Sequence, residues 1–137
     1  MEMKVKWNKN LKFEAIGGSG HKIPMDASES AGGDDSAARP LEMLLSGLGG
    51  CTGIDVVLIL KKMKAEILDF DIDIEATRAE DHPKRFETIN LHYYFKGKNL
   101  DERKVKKAID LSENKYCSAS ASLNAEITSS FEIEHVE

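Results

Sequence analysis

Polar and apolar positions alternate along much of the chain and switch to a helical period in two stretches. VKWNKNLKFEAI (5–16) alternates on both sides of Asn8-Lys9-Asn10, which predicts a hairpin turning at those residues. KIPMDA (22–27) predicts a third strand, placed at an edge by Pro24, which has no N–H to give to a ladder. ILDFDIDIEATRAE (67–80) sets Leu68, Phe70, Ile72 and Ile74 on one face and acids on the other. ETINLHYYFKGK (87–98) alternates through Ile89, Leu91, Tyr93 and Phe95, with AEDHPKR as the turn between the two strands. EITSSFEIEHVE (126–137) alternates through Ile127, Phe131 and Ile133 and ends the chain as a strand. Strands with one apolar face need a cover, and a helix is the natural one.

PLEMLLSGLGGCTGIDVVLILKKMK (40–64) supplies that helix. Pro40 suits a first helical turn. Leu41, Leu44, Leu45 and Leu48 follow at helical spacing, then Ile54, Val56, Val57, Leu58, Ile59 and Leu60 make the second half apolar nearly all round. That pattern predicts a central, buried helix. LDERKVKKAIDLSENKY (100–116) predicts an amphipathic helix through Val105, Ala108, Ile109 and Leu111, with acids in its first turn where the helix dipole favours them. CSASASL (117–123) opens a further short helix or tight turn, and ASESAGGDDSAARP (27–40) reads as a flexible loop. Three strands, helix, two strands, two helices and a strand predict an α+β protein, one domain over 1–137.

Composition narrows the function. The 137 residues carry a net charge of −5 and a pI near 5.4, with no basic stripe, so no nucleic-acid partner is expected. Lys61-Lys62 and Lys106-Lys107 lie on helical patterns with acids nearby and read as solvated faces. The charged N-terminus lacks a signal-peptide core, and no uninterrupted run reaches roughly 18 apolar residues, so a cytoplasmic protein with no membrane partner is expected. An apolar fraction of 41% is slightly low for a globular protein, which points to apolar surface completed by a second copy.

The candidate chemistry lies at two cysteines, the chain's whole complement, which a cytoplasmic setting keeps reduced. Cys51 stands in GLGGCTG (47–53), a run that fits neither G-x-G-x-x-G nor a phosphate loop and that follows a helical rather than a strand pattern. Its glycines, each costing about 1 kcal/mol against alanine in a helix, make room for another backbone or open space beside the thiol. A lone cysteine in an apolar helix is ordinarily an inert small hydrophobe, and Asp55, one turn on, disfavours a thiolate if it lies close. Cys117, in NKYCSASASL, sits where a helix N-terminus aims N–H groups at sulfur. A metal site built from these cysteines and some of His21, His82, His92 and His135 has no C-x-x-C or H-x-x-x-H spacing behind it, so no metal or other cofactor is expected. A Ser–His–acid hydrolase lacks its nucleophile-elbow sequence.

PLEMLLSGLGGC at 40–51, the apolar helix behind it and Tyr116-Cys117-Ser118 entering a short helix resemble the OsmC/Ohr family, the osmotically inducible protein C and organic hydroperoxide resistance proteins. The element order agrees with that family across nearly the whole chain. The resemblance implies an OsmC-like fold: an intertwined homodimer whose long central helices pack between antiparallel sheets, with two active sites at the subunit interface. It also implies a thiol-dependent peroxidase. The cysteine matching Cys51 attacks the distal oxygen of an organic hydroperoxide and becomes a sulfenic acid. The one matching Cys117 condenses with it to a disulfide that a dithiol reduces. Three positions depart from the peroxidase pattern: Ser19 stands at the place of its arginine, Leu41 at its glutamate, and Ser118 at the proline after its second cysteine. Glu42, one residue late, and Arg39 beside it are the expected replacements for the carboxylate and guanidinium. The alternative is a small-molecule-binding or sulfur-handling protein on the same scaffold.

Overall fold

Lys9 and Asn10 turn the first hairpin with positive φ values of 66° and 46°, joining β1 (Met3–Trp7) to β2 (Phe13–Gly17) where the sequence places a turn. The Trp7 indole N–H donates to the Asn10 carbonyl at 2.6 Å and closes it. β3 (Lys22–Met25) pairs antiparallel with β2, completing a sheet of order β1-β2-β3 with Pro24 on its edge strand. These elements belong to a computed structural model that describes all 137 residues, in two units, Met1–Ser46 and Gly47–Glu137.

The loop after β3 is more ordered than its composition predicts. Asp26 accepts from the Ala27 N–H at 2.7 Å, the Ser36 N–H at 3.0 Å and the Ser36 hydroxyl at 2.6 Å, tying the two ends of the loop together. A 3₁₀ turn, Glu29–Ala31, lies between. Gly33 is there by necessity, since a Cβ at that position would lie 2.2 Å from the Ala27 carbonyl oxygen.

α1 (Pro40–Lys62) begins in the first unit and runs on into the second. Arg39 is its N-cap and Pro40 its first helical residue, and the Glu42 carboxylate accepts from the Arg39 N–H at 2.8 Å, one half of a capping box. By length and composition this helix is long and apolar enough to cross a membrane, which counting uninterrupted apolar runs does not reveal. Here its second half lies on a sheet. Leu48, Thr52, Val56 and Leu60, one residue per turn, are buried. The all-round burial expected from the sequence does not hold within one chain: Ile54 is 64% exposed and Leu58 53%. Only one face of a helix can meet a sheet.

That sheet is built from β4 (Glu66–Arg78), β5 (Phe86–Lys98) and β6 (Glu126–His135) in the order β4-β5-β6. β4 and β5 are antiparallel, but β6 runs parallel to β5, so this sheet is mixed rather than wholly antiparallel. The parallel pairing requires a crossover, supplied by α2 (Glu102–Leu111), a π-helical turn (Ser112–Tyr116) and α3 (Ser118–Ser122). The core is the alternating set Ile89, Leu91, Tyr93 and Phe95 with Val105, Ala108 and Ile109 of α2. Phe70 stacks on Phe95 with ring centroids 4.4 Å apart. Leu68 departs from its expected face. The register slips between Ile67 and Asp69, and Leu68 at this bulge is 48% exposed while Ile67 turns inward.

Candidate functional site

The glycines of 47–53 divide by what lies beside them. A Cβ on Gly49 would come within 2.9 Å of Ile74 Cδ1, and one on Gly53 within 3.4 Å of Ile72 Cδ1, so these two let the helix settle onto β4. Gly47 and Gly50 have nothing within 4 Å of the same position. Gly50 and Gly53 begin an open apolar trough of about 400 Å³ that continues along Ile54, Val57, Leu58, Phe70 and Ile72. Close packing holds at Gly49 and Gly53, though isoleucine and phenylalanine side chains approach there rather than another backbone, and open space holds at Gly47 and Gly50.

Cys51 is half-buried and directly follows Gly50 of the trough's lining, and helical spacing puts Asp55 one turn further along the face that Cys51 presents. Cys117 is buried and reaches the same place from the crossover. The Sγ atoms of both cysteines and an Asp55 carboxylate oxygen all lie within 4.8 Å of one another. Two local features deliver Cys117. The π-helical turn closes with its N–H donating to the Ser112 carbonyl at 2.7 Å, and Cys117 then caps α3, its sulfur accepting from the Ser120 N–H at 3.4 Å. The helix-start reading of the sequence is thus realised at the sulfur. Cys117 also shares a 3.3 Å hydrogen bond with the buried Thr52 hydroxyl, which fastens it to α1 beside Cys51. Ser112, fully buried, donates its hydroxyl to Asp55 Oδ2 at 3.0 Å.

Burial pushes the Cys117 thiol up, but the Ser120 and Thr52 side chains, the Ser120 N–H and Cys51 outweigh it, and the thiol ends below its ordinary range. The Ser120 hydroxyl is buried without a partner in full hydrogen-bond geometry, so its N–H is the firm contact. Nearby, Tyr93 donates to Glu113 at 3.1 Å, and Ser129 donates to the other Glu113 oxygen at 3.2 Å. Burial raises both titrations, Tyr93 further by the Glu113 charge.

The other expected residues are placed as follows. Arg39 spans Asp35 at 2.6 Å and the Ala37 carbonyl at 2.9 Å, and Glu42 caps the Arg39 N–H; all these partners lie in the first unit. The Asp35 hydrogen bond raises the Arg39 titration further. His21, His82 and His135 are exposed, and His92 bonds Ser130 and Glu132 across β5 and β6, so no histidine joins the thiols. Thr52 and Ser112 are the residues sequence reading missed. Thr52 follows Cys51 directly, but nothing local links Ser112 to Asp55.

Fold and site together define an α+β protein whose two free thiols meet where the middle of a long helix, lying on a mixed sheet, faces the start of a short one. The chain belongs to the OsmC-like protein family, whose model matches residues 33–132. Protein YhfA of Escherichia coli is 39% identical over 135 residues, covering 97% of this chain and 98% of that protein. A hypothetical protein from Aquifex aeolicus VF5 has a crystal structure that superposes with a TM-score of 0.82 at 31% identity, over 99% of this chain and 97% of that one. The organic hydroperoxide resistance protein OhrB of Bacillus subtilis shares the fold, with a TM-score of 0.63 at 16% identity over 96% of each chain.

Proposed function

We propose that the protein is a two-cysteine, thiol-dependent peroxidase for organic hydroperoxides, within the redox and stress-related role that OsmC-like membership supports. The observation that carries the reading is the approach of two free sulfurs to within 4.8 Å, one of them half-exposed beside an apolar trough. Cys51, the more accessible, is the nucleophile. Its thiolate attacks the distal peroxide oxygen, the O–O bond breaks, and the alkoxide takes up a proton and leaves as an alcohol. Cys51 then carries a sulfenic acid. The Cys117 sulfur attacks it, an S–S bond forms and water departs, and an external dithiol returns both thiols. A disulfide needs its sulfurs at about 2.05 Å, so this step draws them together by side-chain rotation.

The trough favours a bulky peroxide over hydrogen peroxide, because each buried CH₂ contributes about 0.8 kcal/mol. Homodimerisation belongs to the same proposal, since a second copy laid on the exposed Ile54, Val57 and Leu58 would close the trough over the substrate. Arg39 enters it as the cation that steadies the thiolate, with Glu42 as the carboxylate that holds the Arg39 backbone at the start of α1. Arg39→Ala is expected to lower turnover tenfold or more, whereas an unchanged rate removes the guanidinium from the mechanism and leaves the cysteine pair. The main test is mass analysis after one equivalent of an organic hydroperoxide. Wild type should lose two hydrogens as a disulfide, Cys117→Ser should hold one added oxygen trappable by a sulfenic-acid reagent, and Cys51→Ser should show neither. Wild-type consumption of peroxide no faster than free thiol would turn the reading to a binding or sulfur-handling protein on this scaffold.

A further inference from the structure

Asp55 has no part in the two-cysteine reaction, yet its carboxylate stands within 4.8 Å of both sulfurs. It forms no salt bridge with any lysine, arginine or histidine of the chain. Three groups that are negative when ionised repel one another at this distance, and Coulomb repulsion in a partly buried setting is screened only weakly. A cation between them reverses the sign of every one of those interactions.

We propose that Cys51, Asp55 and Cys117 form a binding site for a thiophilic divalent cation, Zn²⁺ foremost, with its fourth coordination position open. The donor chemistry fits: two thiolates select a borderline-soft metal, and a carboxylate completes three protein ligands, the number found where zinc keeps a place for water or an exogenous ligand. The dimensions fit as well. Zinc bonds of about 2.3 Å to sulfur and about 2.1 Å to oxygen put tetrahedral donors roughly 3.6–3.8 Å apart. No pair within 4.8 Å needs to close by more than about 1.2 Å to reach those values, a small side-chain rotation.

The surroundings are those of held ligands. Cys51 and Asp55 project one turn apart from a single helix, so their separation is set by the backbone. Ser112 orients Asp55 from its Oδ2 side, while Thr52 and the Ser120 N–H grip the Cys117 sulfur. Such outer contacts fix ligand direction and tune affinity. Binding is coordination without redox change: each thiol gives its proton to solvent, each sulfur gives a lone pair to the metal, and the net charge of the set with Zn²⁺ is −1. The proposal does not rest on the peroxidase reading. If both hold they compete, since coordinated thiolates cannot form the disulfide and the disulfide removes two of three ligands.

Reduced protein titrated with Co²⁺, a spectroscopic stand-in for Zn²⁺, tests this without an activity assay. The expected result is one equivalent bound, with a thiolate-to-cobalt charge-transfer band, intense tetrahedral d–d absorption, and displacement by Zn²⁺. Cys51→Ser and Cys117→Ser should each lose about half of the charge-transfer intensity. Asp55→Asn, close in shape and checked for fold by circular dichroism, should keep the charge transfer and bind at least tenfold more weakly. Ser112→Ala, which leaves all three ligands in place, should weaken binding less than Asp55→Asn does. Absence of a thiolate-to-cobalt band in the reduced wild type would overturn the proposal. So would a band unchanged in either cysteine variant, or Asp55→Asn affinity within twofold of wild type.

Discussion

Asp26 shows what a single side chain does in this protein. It is 2% exposed and still ionised, because Ser36 donates its hydroxyl and its N–H to one oxygen and Ala27 donates its N–H to the other. The Ser36 hydroxyl, then the Ser36 N–H, outweigh burial and bring the carboxyl from its ordinary 3.8 to about 2. A carboxyl whose folded value lies below its unfolded one stabilises the fold fully above the unfolded value. That contribution drains away as pH falls from near 3.8 through about 2. Asp26→Asn is therefore expected to be less stable than wild type at pH 7, with the gap narrowing below pH 4 and nearly closed at pH 2. Urea titrations of both proteins across that range check it, and a gap independent of pH would show that the charge plays no part.

At the scale of elements, the seam between α1 and β4 depends on absent side chains. Gly49 and Gly53 bring the helix against Ile74, Ile72 and Phe70, and Gly49 has the tighter fit. Alanine at Gly49 returns about 1 kcal/mol of helix propensity but presses on the end of the Ile74 side chain, which can shift, so near-neutrality is expected. Valine adds two more carbons in a filled seam, and overpacking of that kind costs about 1–3 kcal/mol. Gly49→Val is thus expected to unfold at clearly lower denaturant than Gly49→Ala. Equal midpoints for the two would mean that the helix does not rest on β4 as closely as the Ile74 contact requires.

For the molecule as a whole, the leading fact is how much apolar surface one chain leaves open. Val5, Trp7 and Leu11 are exposed in the first unit, and Ile54, Val57, Leu58 and Leu68 in the second. Scattered apolar residues on a surface are ordinary, but Ile54, Val57 and Leu58 adjoin in one trough. A contiguous patch of this kind marks an interaction site, and the homodimer reading makes a second copy its occupant. Stable obligate interfaces bury about 2,000 Å² or more and resemble a core cut in half. Leu58→Arg, which places a charge in the trough, is expected to raise the monomer fraction at micromolar concentration in sedimentation velocity, while wild type remains a dimer. A wild-type species of 15.2 kDa under those conditions would remove the dimer from the proposal.

By itself the sequence determined the element order and most element bounds, because alternation and helical period are local properties of a chain with one covered face per element. The β5 alternation, the Asn8-Lys9-Asn10 turn, the Pro40 helix start and the Cys117 helix cap were all legible for that reason. So was the family, through two cysteine motifs set in that order of elements. Tertiary structure alone decided the parallel seat of β6, since the direction of a last strand depends on how the crossover packs. It decided the exposure of Leu68, because a bulge is a matter of pairing between strands, and the extra residue there breaks an alternation that the letters of β4 carry unbroken. It also decided that Asp55, visible in sequence only as a neighbour of Cys51, stands against Cys117 as well and is held there by Ser112. That arrangement depends on the π-helical turn and the Thr52 hydrogen bond bringing distant segments together, and no local pattern of residues encodes such a meeting.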